Sequence, residues 1–204
     1  MSASCSYYRN GESEANALPF ERVLETAVAL GAPTIRVWAG SAGSENADEQ
    51  TRDAVVSESR RIAGVAAREK ISVSYEHHSG TLTDTNDSAA ALLEKADHPN
   101  LLTLWQPPNE ASFEYCLAGL RRLLPFMTNV HVFHWWPTAA DRRPLSEGAE
   151  RWLPYLRTVQ AAGGSHFASL EFVRDDSAEA FMEDGHTLLS WLDSLQNDSN
   201  SVDS

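Results

Sequence analysis

Residues 71–78 read Ile-Ser-Val-Ser-Tyr-Glu-His-His, a short run built on β-branched and aromatic side chains that ends in three ionisable residues. Such a run predicts a β-strand with polar residues at its carboxyl end. Two later segments have the same form, Val130-His-Val-Phe-His-Trp-Trp136 and Leu170-Glu-Phe-Val173. Burying an ionisable group at the end of an apolar strand costs free energy unless a partner or a metal compensates it. The three segments therefore mark a candidate polar site.

Short β-rich runs and helical patterns alternate along the rest of the chain. The predicted strands are Ala3–Tyr8, Thr34–Trp38, Ile71–Tyr75, Leu101–Trp105, Asn129–His134 and Phe167–Phe172. The predicted helices are Pro19–Leu30, Glu45–Lys70, Asp87–Ala96, Ser112–Leu124, Gly148–Ala161 and Ser177–Leu195. Six strand-then-helix units in succession predict parallel strands joined by right-handed crossovers.

An open doubly wound sheet and a β/α barrel both fit this alternation. A nucleotide-binding open sheet would carry a glycine-rich loop after its first strand, and the sequence has none there. Polar residues instead follow several strands, and in a β/α barrel those strand ends meet at one mouth. The pattern therefore favours an α/β fold of the TIM-barrel type with parallel strands, of which this chain carries about six of the eight β/α units.

Composition narrows the classes of partner. The formal charge of -13 argues against nucleic acids and anionic membranes, which require basic surfaces. The sequence has no apolar run of membrane-spanning length, and its first residues lead us to expect no signal peptide. Its two cysteines, Cys5 and Cys116, are expected to be reduced thiols in a cytoplasmic protein. We expect one domain over residues 1–195 and a disordered acidic tail over residues 196–204.

Five motifs resemble one known family. They are Leu30-Gly-Ala-Pro-Thr-Ile-Arg-Val-Trp-Ala-Gly40, Tyr75-Glu-His-His78, Trp105-Gln-Pro-Pro108, Val130-His-Val-Phe-His-Trp135 and Leu170-Glu-Phe-Val173. In this order they are similar to the sugar phosphate isomerase/epimerase group, whose members have a xylose isomerase-like TIM barrel. The resemblance covers residues 3–192. It implies an isomerase or epimerase that acts on a small sugar or sugar phosphate. Some relatives form homo-oligomers, so the resemblance also makes a homo-oligomer an expectation for this chain.

The same resemblance implies a site for one divalent cation, Mn²⁺, Mg²⁺, Co²⁺ or Zn²⁺. Its ligands are Glu76, Gln106, His131 and Glu171, and Glu76 and Glu171 also exchange the proton of an enediolate reaction. His131 and His134 would point to opposite faces of a strand, so only one of them can face the barrel interior. The resemblance favours His131, because the family's ligand precedes a short polar stretch at the strand end, which matches His131-Val-Phe-His134. The resemblance further implies a set of substrate-binding residues. They are Arg36, Trp38, His78, Asn109, His134, Trp135 and Arg174.

Several readings of these residues stay open. Glu76 and Glu171 are also consistent with simple ion pairs to Arg36 and Arg174. Gln106 stands where the family has an aspartate, and Leu82 stands where the ketose 3-epimerases have a further glutamate. These departures leave a non-catalytic barrel that binds sugar or metal as the main alternative. A metal-dependent endonuclease of the same superfamily is disfavoured by the acidic charge.

The resemblance also aligns the first predicted strand with the third strand of the family. The first two β/α units are then missing from the sequence. A misassigned start, a truncated gene, or a second chain that supplies the two units would each account for this.

Overall fold

The computed structural model describes residues 3–202 of the chain, and it describes side chains as far as residue 197. Six strands alternate with six α-helices, which confirms the predicted order of elements. The strands are β1 (Ser4–Arg9), β2 (Thr34–Trp38), β3 (Ser72–Glu76), β4 (Leu101–Trp105), β5 (Met127–Val132) and β6 (Phe167–Leu170). The helices are α1 (Phe20–Leu30), α2 (Glu49–Arg68), α3 (Asn86–Ala96), α4 (Phe113–Leu123), α5 (Ala149–Ala162) and α6 (Ala178–Val202).

The helix ends follow the local sequence signals. Pro19 precedes α1 with an extended backbone, and Gly31 ends that helix in the left-handed conformation that glycine adopts without strain. The side chain of Asp48 accepts a hydrogen bond from the N–H of Thr51, so α2 begins at Glu49 rather than at the predicted Glu45.

β5 and β6 both end two residues before their predicted ends, whereas the bounds of β1 and β3 shift by one residue. β5 begins at Met127 and stops at Val132, because the next residues hydrogen-bond within a loop: Arg143 donates its backbone N–H to the carbonyl of His134. His134 therefore lies outside the strand. β6 stops at Leu170 because Phe172 has a φ of 45°, which interrupts the extended backbone.

Helix α6 continues to Val202, through part of the segment that the sequence predicts as a disordered tail. The last two positions of that predicted tail, residues 203 and 204, lie outside the described residues. No helix in the described part of the chain is both long enough and apolar enough to span a membrane.

The residues group into two compact units. The first unit contains Met1–Pro108 and Pro125–Asn129. In it β1, β2, β3 and β4 are parallel neighbours in sequence order, with Thr34 opposite Ser72 and Val73 opposite Leu101, and the first residues of β5 follow β4. Apolar side chains from both the strands and the helices fill its core. Among those that are fully buried are Ile35, Val37, Ile62, Val73, Tyr75 and Ala90.

The second unit contains Asn109–Leu124 and Val130–Ser204. Here the end of β5 lies beside β6. Trp152 and Tyr155 of α5 are buried, and the indole Nε1 of Trp152 donates to the carbonyl of Phe133 at 2.6 Å. This contact fixes α5 against the residues that follow β5, and so it supports the loop that carries His134.

Candidate functional site

Glu76 is the last residue of β3, and only 3% of it is exposed. Its Oε2 accepts hydrogen bonds from Nη1 of Arg36 and from the indole Nε1 of Trp38, both on β2. A buried carboxylate needs such compensation, and the guanidinium supplies opposite charge as well as a donor. The structure thus contains the Glu76–Arg36 ion pair that the sequence left as one reading of Glu76.

Trp38 is the centre of a cluster in the first unit. The His78 ring stacks on it with centroids 4.7 Å apart, and Tyr7 meets it edge-on at 5.9 Å. The guanidinium carbon of Arg9 lies 3.8 Å from the centroid of the indole ring. The first unit therefore brings together four of the predicted site residues, namely Arg36, Trp38, Glu76 and His78.

Arg9 and Tyr7 were not among the predicted site residues. Arg9 ends the first strand and is paired in register with Trp38, so the rule that polar residues gather at strand ends could have identified it. Tyr7 lies within β1 and not at its end, so the same rule does not identify it. In the structure Tyr7 is 76% exposed on this edge strand. Gln106, a predicted metal ligand, directly follows β4 and is 8% exposed.

His131 and Glu171 meet in the second unit. His131 is the penultimate residue of β5, and Glu171 directly follows β6, where its backbone N–H donates to the carbonyl of Val132. This backbone bond holds the carboxylate beside β5, with Nδ1 of His131 3.5 Å from Oε1 of Glu171.

The second oxygen of the same carboxylate, Oε2 of Glu171, is buried and has no hydrogen-bond partner among the described residues. A buried acceptor without a partner is costly and rare in native proteins. An imidazole nitrogen and carboxylate oxygens are suitable ligands for Mn²⁺, Co²⁺ or Zn²⁺, and a cation would satisfy the unpaired oxygen. The residues present therefore fit a divalent metal.

The other predicted residues of the second unit lie in separate surroundings. The indole Nε1 of Trp135 donates to the carbonyl of Phe172 at 3.2 Å. Arg174 is paired with Asp175 and Glu183, and not with Glu171. Asn109 is exposed.

His134 lines a cavity of about 380 Å³ together with loop and α5 residues. The other lining residues are Trp136, Arg143, Glu147, Gly148, Glu150 and Arg151. Burial lowers the pKa of His134 below its ordinary value of 6.5. Burial also lowers the pKa of His77, the neighbour of Glu76, to about 4, so both rings are neutral at pH 7.

The chain belongs to the family described as xylose isomerase-like TIM barrel, whose profile matches residues 3–194. Its fold is accordingly the TIM-barrel type, with six parallel strands that alternate with helices. A curated relative, 3-dehydroshikimate dehydratase of Bacillus anthracis, is 30% identical over 161 residues, which cover 68% of this chain and 55% of the relative. The chain thus spans about half the length of the curated relative that it matches.

Solved structures share the fold. The probable 3-DHS dehydratase of Bacillus anthracis has a TM-score of 0.73 at 24% identity, over 90% of this chain and 73% of that one. A D-tagatose 3-epimerase-like protein has a TM-score of 0.75 at 15% identity, over 97% of this chain and 79% of that one. A xylose isomerase-like protein of Mycobacterium smegmatis, solved in complex with magnesium, has a TM-score of 0.70 at 19% identity, over 91% and 69%.

We expect Arg36→Met to destabilise the chain by about 3–5 kcal/mol, because it leaves the buried Glu76 carboxylate without its cation. The double variant Arg36→Met, Glu76→Gln should be more stable than the Arg36→Met single variant, since no charge stays buried without a partner. Urea unfolding of the parent, both single variants and the double variant measures this coupling. Strictly additive losses would contradict the ion pair.

The pH dependence of the free energy of unfolding should also reflect the buried His134 ring. Its folded pKa is below its unfolded pKa, so the unfolded chain binds more protons as the pH falls below 6.5. The neutral ring therefore contributes stability above pH 6.5, and this contribution is lost as the pH falls towards the folded pKa. Free energies of unfolding measured between about pH 7 and pH 5 should fall less steeply for His134→Gln than for the parent. Parallel curves would show that burial of this ring has no such effect.

Proposed function

We propose that the chain forms a divalent-metal-dependent enzyme that removes a proton from the carbon beside a carbonyl of a small hydroxylated substrate. The observation that carries the proposal is the His131–Glu171 pair, whose buried carboxylate oxygen lacks a hydrogen-bond partner among the described residues. It occurs in a chain of a family whose fold places active sites at the carboxyl ends of the strands.

Strand position supports the proposed ligand set. Glu76 ends β3, Gln106 follows β4, His131 lies near the end of β5 and Glu171 follows β6. Glu76, His131 and Glu171 each offer one ligand atom of a type that binds a divalent metal. Gln106 would add a neutral oxygen, so we expect weaker metal binding than with an aspartate there. The ligand types accept Mn²⁺, Mg²⁺, Co²⁺ or Zn²⁺, and the magnesium complex of the Mycobacterium smegmatis protein supports a cation of this class.

The chain's own residues would supply the proton transfers. Glu171 and Glu76 are the proposed acid and base, one removing the proton and the other returning it. The hydrogen bonds from Arg36 and Trp38 hold Glu76 in one orientation, which leaves less reorganisation for the reaction. A bound cation would supply positive charge that stabilises a developing enolate. Trp38, His78, Trp135 and the other predicted substrate-binding residues remain part of this proposal.

Two outcomes can follow the same first step. If the proton returns to carbon, the product is an isomer or epimer, as the resemblance to sugar isomerases implies. If a hydroxyl group on the adjacent carbon leaves with a proton as water, the product is dehydrated. Dehydration is the second candidate, favoured by the 30% identity to 3-dehydroshikimate dehydratase, against 15% for the epimerase-like structure.

Incubation of the Mn²⁺-loaded chain in D₂O distinguishes the outcomes. With D-tagatose we expect an isomerase or epimerase to introduce carbon-bound deuterium, and with 3-dehydroshikimate we expect a dehydratase to give a product lighter by one water. Mass spectrometry detects both products. Glu171→Gln should lower the rate of whichever reaction the parent catalyses by about a hundredfold or more, because it removes a proposed acid–base group.

Arg22→Gln on the exposed face of α1 is the control and should keep the parent rate. A chain that binds Mn²⁺ but changes neither substrate would contradict catalysis on either of them and would favour the non-catalytic alternative.

A further inference from the structure

Arg9 is a cation without an acidic partner in the described part of the chain. It is the last residue of β1 and is partly buried. Its Nη1 donates to the carbonyl of Gly40 at 3.3 Å, and its other N–H groups have no acceptor among the described residues. Glu12, three residues along the chain, accepts a hydrogen bond from Ser41 instead. Within the described residues Arg9 therefore contacts no carboxylate, although the chain has a net charge of -13.

Two contacts fix the guanidinium in place. Its central carbon lies over the Trp38 ring, 3.8 Å from the ring centroid, a distance at which the indole face attracts a cation. The carbonyl of Gly40 accepts the bond from Nη1 of Arg9, and the backbone N–H of Gly40 in turn donates to the carbonyl of Trp38 at 3.0 Å. Arg9 is therefore oriented by the fold, with donors left for another molecule.

The neighbouring arginine is not available in the same way. Arg36 is 8% exposed and bonded to Glu76. Trp38 contacts both groups, since it supports Arg9 with its ring and donates its Nε1 to Glu76. The Arg9 guanidinium thus lies beside the residues that hold a proposed metal ligand.

We propose that Arg9 binds an anionic oxygen group of the substrate, a carboxylate or a phosphate, with Trp38 as its platform. A guanidinium presents parallel N–H donors that match two oxygens of such a group. The inference deepens the proposed function and rests on it for the identity of the bound molecule. It assigns the substrate class: a hydroxylated carbonyl compound that carries a negative charge.

Anion binding tests the inference without any turnover. The chelator-stripped chain is titrated by calorimetry with benzoate and with inorganic phosphate, beside Arg9→Gln, Arg9→Lys and the charge-matched control Arg22→Gln. We expect Arg9→Gln to raise the dissociation constant of the tighter anion about tenfold or more, because it removes charge-assisted hydrogen bonds. Arg22→Gln should bind like the parent. Arg9→Lys keeps the positive charge but loses the pair of parallel N–H donors, so it should weaken benzoate binding more than phosphate binding.

Tighter binding of benzoate by the parent assigns a carboxylate, and tighter binding of phosphate assigns a phosphate. Equal affinities in the parent and Arg9→Gln, or no binding of either anion by the parent, would overturn the inference. A Mn²⁺ titration of the same samples separates it from the proposed function. Arg9-dependent anion binding in a chain that binds no Mn²⁺ would leave the inference standing and refute the metal-dependent function.

Discussion

A carboxylate can be buried at the end of a strand only if positive charge or hydrogen-bond donors compensate it, and this constraint governs the polar residues of both units. In the first unit Arg36 and Trp38 satisfy Oε2 of Glu76 from the adjacent strand. In the second unit the imidazole of His131 lies 3.5 Å from Oε1 of Glu171, and Oε2 of Glu171 has no hydrogen-bond partner in the described chain. The difference supports the proposal that Glu171 binds a ligand from outside the protein.

The order of elements was predictable because apolar periodicity and helix-end residues are local signals. Thr34–Trp38 and Leu101–Trp105 have the same bounds in sequence and structure. The ends of β5 and β6 were not predictable, since they depend on a loop hydrogen bond at His134 and on the positive φ of Phe172. The first joins two separated residues of one loop, and the second is a backbone conformation that is uncommon for phenylalanine, so neither follows from local residue preferences.

The candidate site was predictable in part for the same reason. Glu76, His131 and Glu171 stand at or near strand ends, so the sequence pattern could single them out as candidates. The cation–π contact between Arg9 and Trp38 joins residues that are 29 positions apart. It forms only when β1 and β2 pair in register. The sequence left an ion pair as one reading of Glu76, and the structure contains this pair at Oε2 of the carboxylate.

Calorimetric titration of the chelator-stripped chain with Mn²⁺, beside the Glu76→Ala, Glu171→Ala double variant, tests the central claim most directly. The account predicts one site on the parent and none on a folded double variant, because the variant loses two of the proposed ligands. A folded parent that binds no metal, or a double variant that binds it as tightly as the parent, would contradict the proposed metal centre.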